Sequence, residues 1–269
     1  MTTILVPVDF SETSKNAARF ASDMAKSIAD AHLVFYHVFD PIAAGSDGTP
    51  LDISVEDRKK IAMLAINNVS AEIGNTTEFS AVVVEGNSLV DKMVDYVRME
   101  GSDLVVMGIT GSGALDAILM GSNALKMVKQ AAGAVLIIPP QASYKGIKKV
   151  AFATDFKDVK SSTPSRQIRS FLGLFKPELQ IVHVSSDGVA VSSEEKEQLS
   201  ELLAPFNGRV NIIRNDNFLD GLESFTQAEN IDCIITVPRQ HGFLESVFQP
   251  SHTRKLAYHT HIPILAVHE

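Results

Sequence analysis

Two stretches of this chain repeat each other in two registers, and that repeat limits the fold more than any single motif. With an offset of 146, Asp9-Phe10 falls on Asp155-Phe156 and His37-Val38 on His183-Val184. With an offset of 129, Asp103 falls on Asp232, Ser122 on Ser251, Lys126 on Lys255 and Leu136 on Leu265. The second copy is therefore 17 residues shorter between its second and third strands, where the first carries the loop Pro41 to Pro50. Loops absorb such length changes cheaply. A period of about 130 residues means a duplicated domain, not a solenoid, and each copy is long enough for its own core. The expected domains are 1–140 and 147–269, joined by the Pro-, Gly- and Lys-containing stretch Pro139 to Lys148.

Within the first copy the elements alternate. Strands are expected at Ile4 to Val8, Leu33 to Val38, Phe79 to Glu85, Leu104 to Met107 and Val135 to Ile138. Helices are expected from Ser11 to about Ala29, from Val55 to Ile73, from Leu89 to Glu100, and from Asn123 to Ala132. The first would bury Ala17, Phe20, Ala21, Met24, Ala25 and Ile28; the second, Ile61, Leu64, Ala65 and Val69. Alternation of this kind predicts an α/β fold: two tandem open parallel five-stranded sheets with flanking helices, Rossmann-like. Both closing strands, Val135 to Ile138 and Ile264 to Val267, are short and apolar. Such strands suit pairing and leave hazardous edges if unpaired.

Ligands in such sheets bind beyond the carboxyl ends of the strands, near the switch point. The chain places a notable pattern there. After Leu104-Val105-Val106-Met107 come Gly108, two residues, Gly111, nine residues, then Gly121-Ser122 and a helical stretch. Glycine lets an anion approach the backbone, Ser122 is a good N-cap, and a helix start offers unpaired N–H groups to phosphate. A ligand-free Gly-rich turn uses the same residues, so the spacing alone leaves both readings open.

The pattern resembles the universal stress protein (UspA-like) family, whose ATP-binding members carry G-x2-G-x9-G-(S/T) between the fourth strand and the next helix. Gly108, Gly111, Gly121 and Ser122 match it without a gap, and the likeness extends to Ile4 to Ser11, Leu33 to Val38 and Val135 to Ile138. The resemblance implies an adenine nucleotide alpha hydrolase-like fold binding ATP, with or without Mg2+, and a stress-response or regulatory role. It implies that Pro7, Val8 and Asp9 meet the ribose and adenine side. The Val38 backbone would meet the adenine edge, and Met107, Gly108, Gly111, Gly121, Ser122 and Asn123 would line the phosphates. Asp9 is also suited to capping the helix that opens near Ser11. His37 reads as structural, because its counterpart His183 sits in a copy whose glycines are replaced by Val237, Gln240 and Pro250. One nucleotide per chain is expected, in the first copy. Domains of the family it resembles pair through the closing strand, which implies an intramolecular pseudo-dimer here and is compatible with two chains associating further as a homodimer.

The chemistry expected is binding more than turnover, and no catalytic residue is assigned. No Lys or Arg lies between Arg98 and Lys126, whereas phosphate-loop enzymes place a lysine on the phosphates. Lys15 or Arg19 on the first helix would have to supply that charge. A slow ATPase or phosphotransferase, and a scaffold of the same fold that binds no nucleotide, are the alternatives. The net charge of −8 argues against nucleic-acid partners. With no apolar run near 18 residues and no signal-like start, a cytoplasmic protein without a membrane partner is expected. Cys233, the single cysteine, reads as a buried strand residue. The C-terminal histidines His241, His252, His259, His261 and His268 lack metal-site spacing, so no metal is assigned. Ser192 to Leu203 reads as a short helix with a solvated face.

Overall fold

The computed structural model describes residues 1–41, 53–109, 122–130, 133–186, 191–238 and 262–268. The first half runs β1 (Thr2–Pro7), α1 (Glu12–Ala25), β2 (Ala31–Phe39), α2 (Val55–Glu72), β3 (Phe79–Glu85), α3 (Leu89–Glu100), β4 (Leu104–Gly108), α4 (Ser122–Gln130) and β5 (Ala134–Ile138). The second runs β6 (Lys149–Ala153), α5 (Val159–Ser162), α6 (Ser165–Phe175), β7 (Glu178–Ser185), α7 (Ser193–Leu203), β8 (Arg209–Arg214), α8 (Phe218–Glu229), β9 (Cys233–Thr236) and β10 (Ile264–Val267). α7 carries a full capping box between Ser192 and Glu195.

All ten strands join one sheet, ordered β3-β2-β1-β4-β5-β10-β9-β6-β7-β8. Each half is parallel within itself and repeats the same strand order. Among the described residues the one antiparallel pairing joins β5 to β10, with Leu136 opposite Leu265, Val135 opposite Ala266 and Ile137 opposite Ile264. Leu136 and Leu265 are also the residues that the 129-residue repeat equates, so the local twofold passes through that pair. One face of the sheet is covered by α1, α2, α6 and α7. The other is covered by α3, α4 and α8. Leu136 and Leu265 are both fully buried on the first face, which makes the seam part of a shared core.

The stretch between the halves is packed onto α1. Asn16 Nδ2 donates to the carbonyls of Pro139 and Ala142, each at 3.2 Å. Tyr144 meets Phe20 edge-on at 5.4 Å and shares a hydrogen bond with Ser27. α1 buries the Ala17, Phe20, Ala21, Met24 and Ala25 stripe expected of it. It stops at Ala25 instead of continuing to Ala29, because the chain tightens there: Ser27 and Ile28 N–H bond three residues back to Met24 and Ala25.

α2 is rotated relative to its apolar pattern. Ala62, Ile66, Val69 and Ser70 are buried, while Ile61 is 58% and Leu64 64% exposed. The inward face continues upward from Ala62 to Arg58, one turn earlier, so a charged residue heads the buried stripe. Cys233 is fully buried, and its thiol is shifted upward, foremost by loss of water. It behaves as a small hydrophobe. No described helix is long and apolar enough to cross a membrane.

Candidate functional site

β1 is the strand at which the first half reverses its winding, with β2 on one side and β4 on the other. Its ladder with β2 runs six residues, from Thr2↔Ala31 to Pro7↔Tyr36. Its ladder with β4 is only Ile4↔Leu104 and Leu5↔Val105. The carboxyl ends of β1 and β4 therefore run on without paired register, and α1 and α4 leave on opposite faces. That is the crevice such folds use for ligands.

Four groups border it. The first is Asp9, just past β1. Its Oδ1 accepts the Ser11 N–H at 3.1 Å and the Ser11 hydroxyl at 2.5 Å. Ser11 in turn is the N-cap of α1, its Oγ accepting the Ser14 N–H at 3.2 Å. Asp9 thus braces the capping residue, while the cap itself, one of the two roles expected of Asp9, falls to Ser11. The second group is the turn itself. Phe10 has φ +66 and its repeat partner Phe156 has φ +57. A bulky side chain in the left-handed region is strained, typically by about 1–3 kcal/mol. The strain recurs at the same place in both copies, where the chain reverses sharply out of the first strand. His37 supports this turn: Nδ1 lies 2.7 Å from the Val8 carbonyl and its ring packs on Phe10 at 4.6 Å. His183 does the same with Thr154 and Phe156 in the second half. His37 thus supports the turn, as its counterpart does in the second half.

The third group is the backbone of Val38. Strand geometry alternates the direction of successive N–H and C=O groups. Tyr36 turns its carbonyl toward β1, accepting the Val8 N–H at 2.9 Å, and Phe39 turns its own toward β3, accepting from Gly86 at 3.0 Å. Val38 therefore presents its N–H and C=O in the Tyr36 direction, one step beyond the last residue of β1. A strand edge that has outrun its neighbour can read the edge of a planar base.

The fourth is β4. Met107 is buried and Gly108 pairs with Ile138 of β5. Gly108 is expected to leave room for an anion, and the structure gives it a steric reason as well. A Cβ there would sit 2.9 Å from both the Thr13 Cγ2 and the Thr13 carbonyl oxygen of α1. Gly108 lets α1 cross the end of β4. Gly111 and Gly121 lie outside the described residues. Ser122 opens α4 and Asn123 follows within its first turn, so Ser122 is a first-turn helical residue, not the cap before it. Pro7 and Val8 end β1, with Val8 buried. Val237 is buried at the position matching Gly108; Gln240, Pro250 and Ser251 lie outside the described residues, as do all the C-terminal histidines except His268.

Of the two cations expected to reach the phosphates, Lys15 is already paired among the described residues. Lys15 is held between Glu12 and Glu72 at 3.0–3.2 Å. Its pKa is raised, first by the Glu72 hydrogen bond and then by Glu12. Its charge is paired with carboxylates on α1 and α2. Among the described residues no three of His, Cys, Asp and Glu group to hold a metal. Sequence reasoning missed Phe10, Thr13 and Arg58. The repeated Asp-Phe pair was a usable signal for the first; the others act only once helices cross strand ends.

A duplicated, doubly wound α/β protein, with a switch point at the carboxyl ends of its first strands, is the class this architecture defines. The family model for the universal stress protein family matches residues 1–139, and the chain belongs to that family. It is 29% identical over 140 residues to a universal stress protein of Methanocaldococcus jannaschii, covering 50% of this chain and 80% of that protein. It is 28% identical over 139 residues to one from Thermus aquaticus, covering 51% and 97%. A universal stress protein structure from Archaeoglobus fulgidus superposes with a TM-score of 0.69 at 17% identity, over 98% of this chain and 95% of that one. That likeness extends the fold assignment to both halves.

Proposed function

We propose that this chain is an ATP-binding universal stress protein whose bound nucleotide biases a conformation or a partner contact. One ATP, with or without Mg2+, sits in the N-terminal domain, residues 1–140. The C-terminal domain, residues 147–269, keeps the fold and not the ligand. The observation that carries the proposal is the convergence at the β1–β4 crevice of a braced carboxylate, Asp9, and an outrun strand edge, Val38. A carboxylate accepts hydrogen bonds from ribose hydroxyls, and a backbone N–H and C=O pair matches the N1 acceptor and N6 donor of adenine. Phosphates would follow the Gly108 to Asn123 segment toward the start of α4.

Binding is favoured over turnover on charge. Backbone dipoles contribute about 0.3–1 kcal/mol each when exposed. Phosphoryl transfer needs far more charge stabilisation than that, and Lys15 is already paired. The setting proposed is cytoplasmic. The test is mass spectrometry of whatever small molecule leaves freshly purified, denatured protein. The expected result is an adenine nucleotide; absence of any purine, together with no uptake of added ATP, would favour the ligand-free scaffold instead.

A further inference from the structure

Arg58 does work that no nucleotide motif accounts for. It sits one turn into α2, with its side chain only 13% exposed. Its Nη1 donates to the Asp40 carbonyl at 2.6 Å and its Nη2 to Glu85 Oε1 at 3.3 Å. Its guanidinium carbon stands 5.0 Å from the centroid of the Phe39 ring. One side chain therefore ties the last residue of β2, the residue after it, and the last residue of β3. Phe39 and Asp40 immediately follow Val38, and Glu85 pairs with Phe39 across the ladder. The arrangement is costly, because Arg58 Nε is buried with no hydrogen-bond partner among the described residues. Burying an unpaired donor is unfavourable; the other three contacts must offset it.

The second half offers an internal comparison. There the strand register sets Ser185 opposite Arg214, as Phe39 is set opposite Glu85 in the first half. Four residues after the helix N-cap, where the first half has Arg58 after Ser54, the second has Lys196 after Ser192. The aromatic ring, the carboxylate and the guanidinium are all replaced, and the two remaining charges are alike. The clamp is confined to the half that keeps the glycine signature, although both halves keep the fold. A device needed only to hold two strands together would be expected in both.

We propose that Arg58 is a positioning residue for base recognition: it fixes the end of β2 so that the Val38 N–H and C=O meet an adenine edge. This rests on the ATP reading above and deepens it. A backbone N–H facing N1 and a C=O facing N6 suit adenine; guanine presents a donor and an acceptor in the opposite order, which leaves buried groups unpaired. Such discrimination requires the strand end to be held still. Lysine cannot substitute, because it lacks the planar fork that reaches two acceptors and stacks on a ring.

The experiment is a calorimetric comparison of ATP and GTP binding to the full chain, for wild type, Arg58→Ala, Arg58→Lys and Glu85→Gln. The wild type is expected to prefer ATP. In Arg58→Ala the ATP-over-GTP preference falls about tenfold, mainly through ATP. Arg58→Lys does not restore it, and Glu85→Gln, which opens no cavity, shifts it less in the same direction. A variant that weakened ATP and GTP equally would show a merely structural role and overturn the inference. So would an unchanged preference in Arg58→Ala or, where that variant does not fold, in Glu85→Gln. Failure of the wild type to bind either nucleotide would instead remove the ATP reading and this inference with it.

Discussion

Leu136→Asp is expected to unfold the chain or leave it barely stable. Leu136 is fully buried at the centre of the β5–β10 pairing, directly opposite Leu265, and both belong to the core face shared by the two halves. Truncating a core leucine to alanine costs about 2–5 kcal/mol through lost burial and the cavity left behind. An aspartate adds the penalty of a carboxylate with no partner, which is larger still unless it is protonated. Against a total stability of about 5–15 kcal/mol, little would remain. Urea unfolding followed by circular dichroism measures this directly. Leu265→Asp should do the same, because the local twofold makes the two positions equivalent. A change below about 0.5 kcal/mol, the range of ordinary surface substitutions, would mean the seam is not where the halves meet.

Asp9→Asn is expected to weaken ATP binding about 10- to 100-fold, while Asp155→Asn leaves it unchanged. A hydrogen bond to a charged group contributes about 1.5–3 kcal/mol, and the substitution removes the charge while keeping an oxygen for the Ser11 contacts. The pair is a built-in control. Both aspartates follow a first strand and precede a phenylalanine at positive φ. Asp155 accepts the Lys157 N–H at 3.1 Å much as Asp9 accepts that of Ser11. The two halves differ at the end of the fourth strand, where Gly108 stands in the first and the buried Val237 in the second. Equilibrium dialysis with labelled ATP separates the outcomes. Equal losses in both variants would mean either two working crevices or an effect on folding alone, and a parallel thermal melt tells these apart.

Much of the architecture was legible from residue patterns, and the exceptions have physical causes. The pairing of the two closing strands was expected from the family resemblance and from their short apolar character, while the position of the local twofold at Leu136 and Leu265 comes from the strand register. β3 and α3 fall on their expected limits. α2 was legible as a helix but not in its rotation. An apolar count puts Ile61 and Leu64 inside, yet the buried stripe runs Arg58, Ala62, Ile66, Val69. A charged residue at the head of an inward face is invisible to hydrophobic periodicity, because its justification lies on β2 and β3. Gly108 shows a related limit. The spacing singled it out, while the close crossing by Thr13 depends on the path of α1.

The account stands or falls on a single working crevice per chain. Calorimetric titration of ATP into the full-length protein tests this most directly, because it counts sites as well as measuring affinity. One ATP per chain is the predicted result; two equal sites, or none, would contradict it.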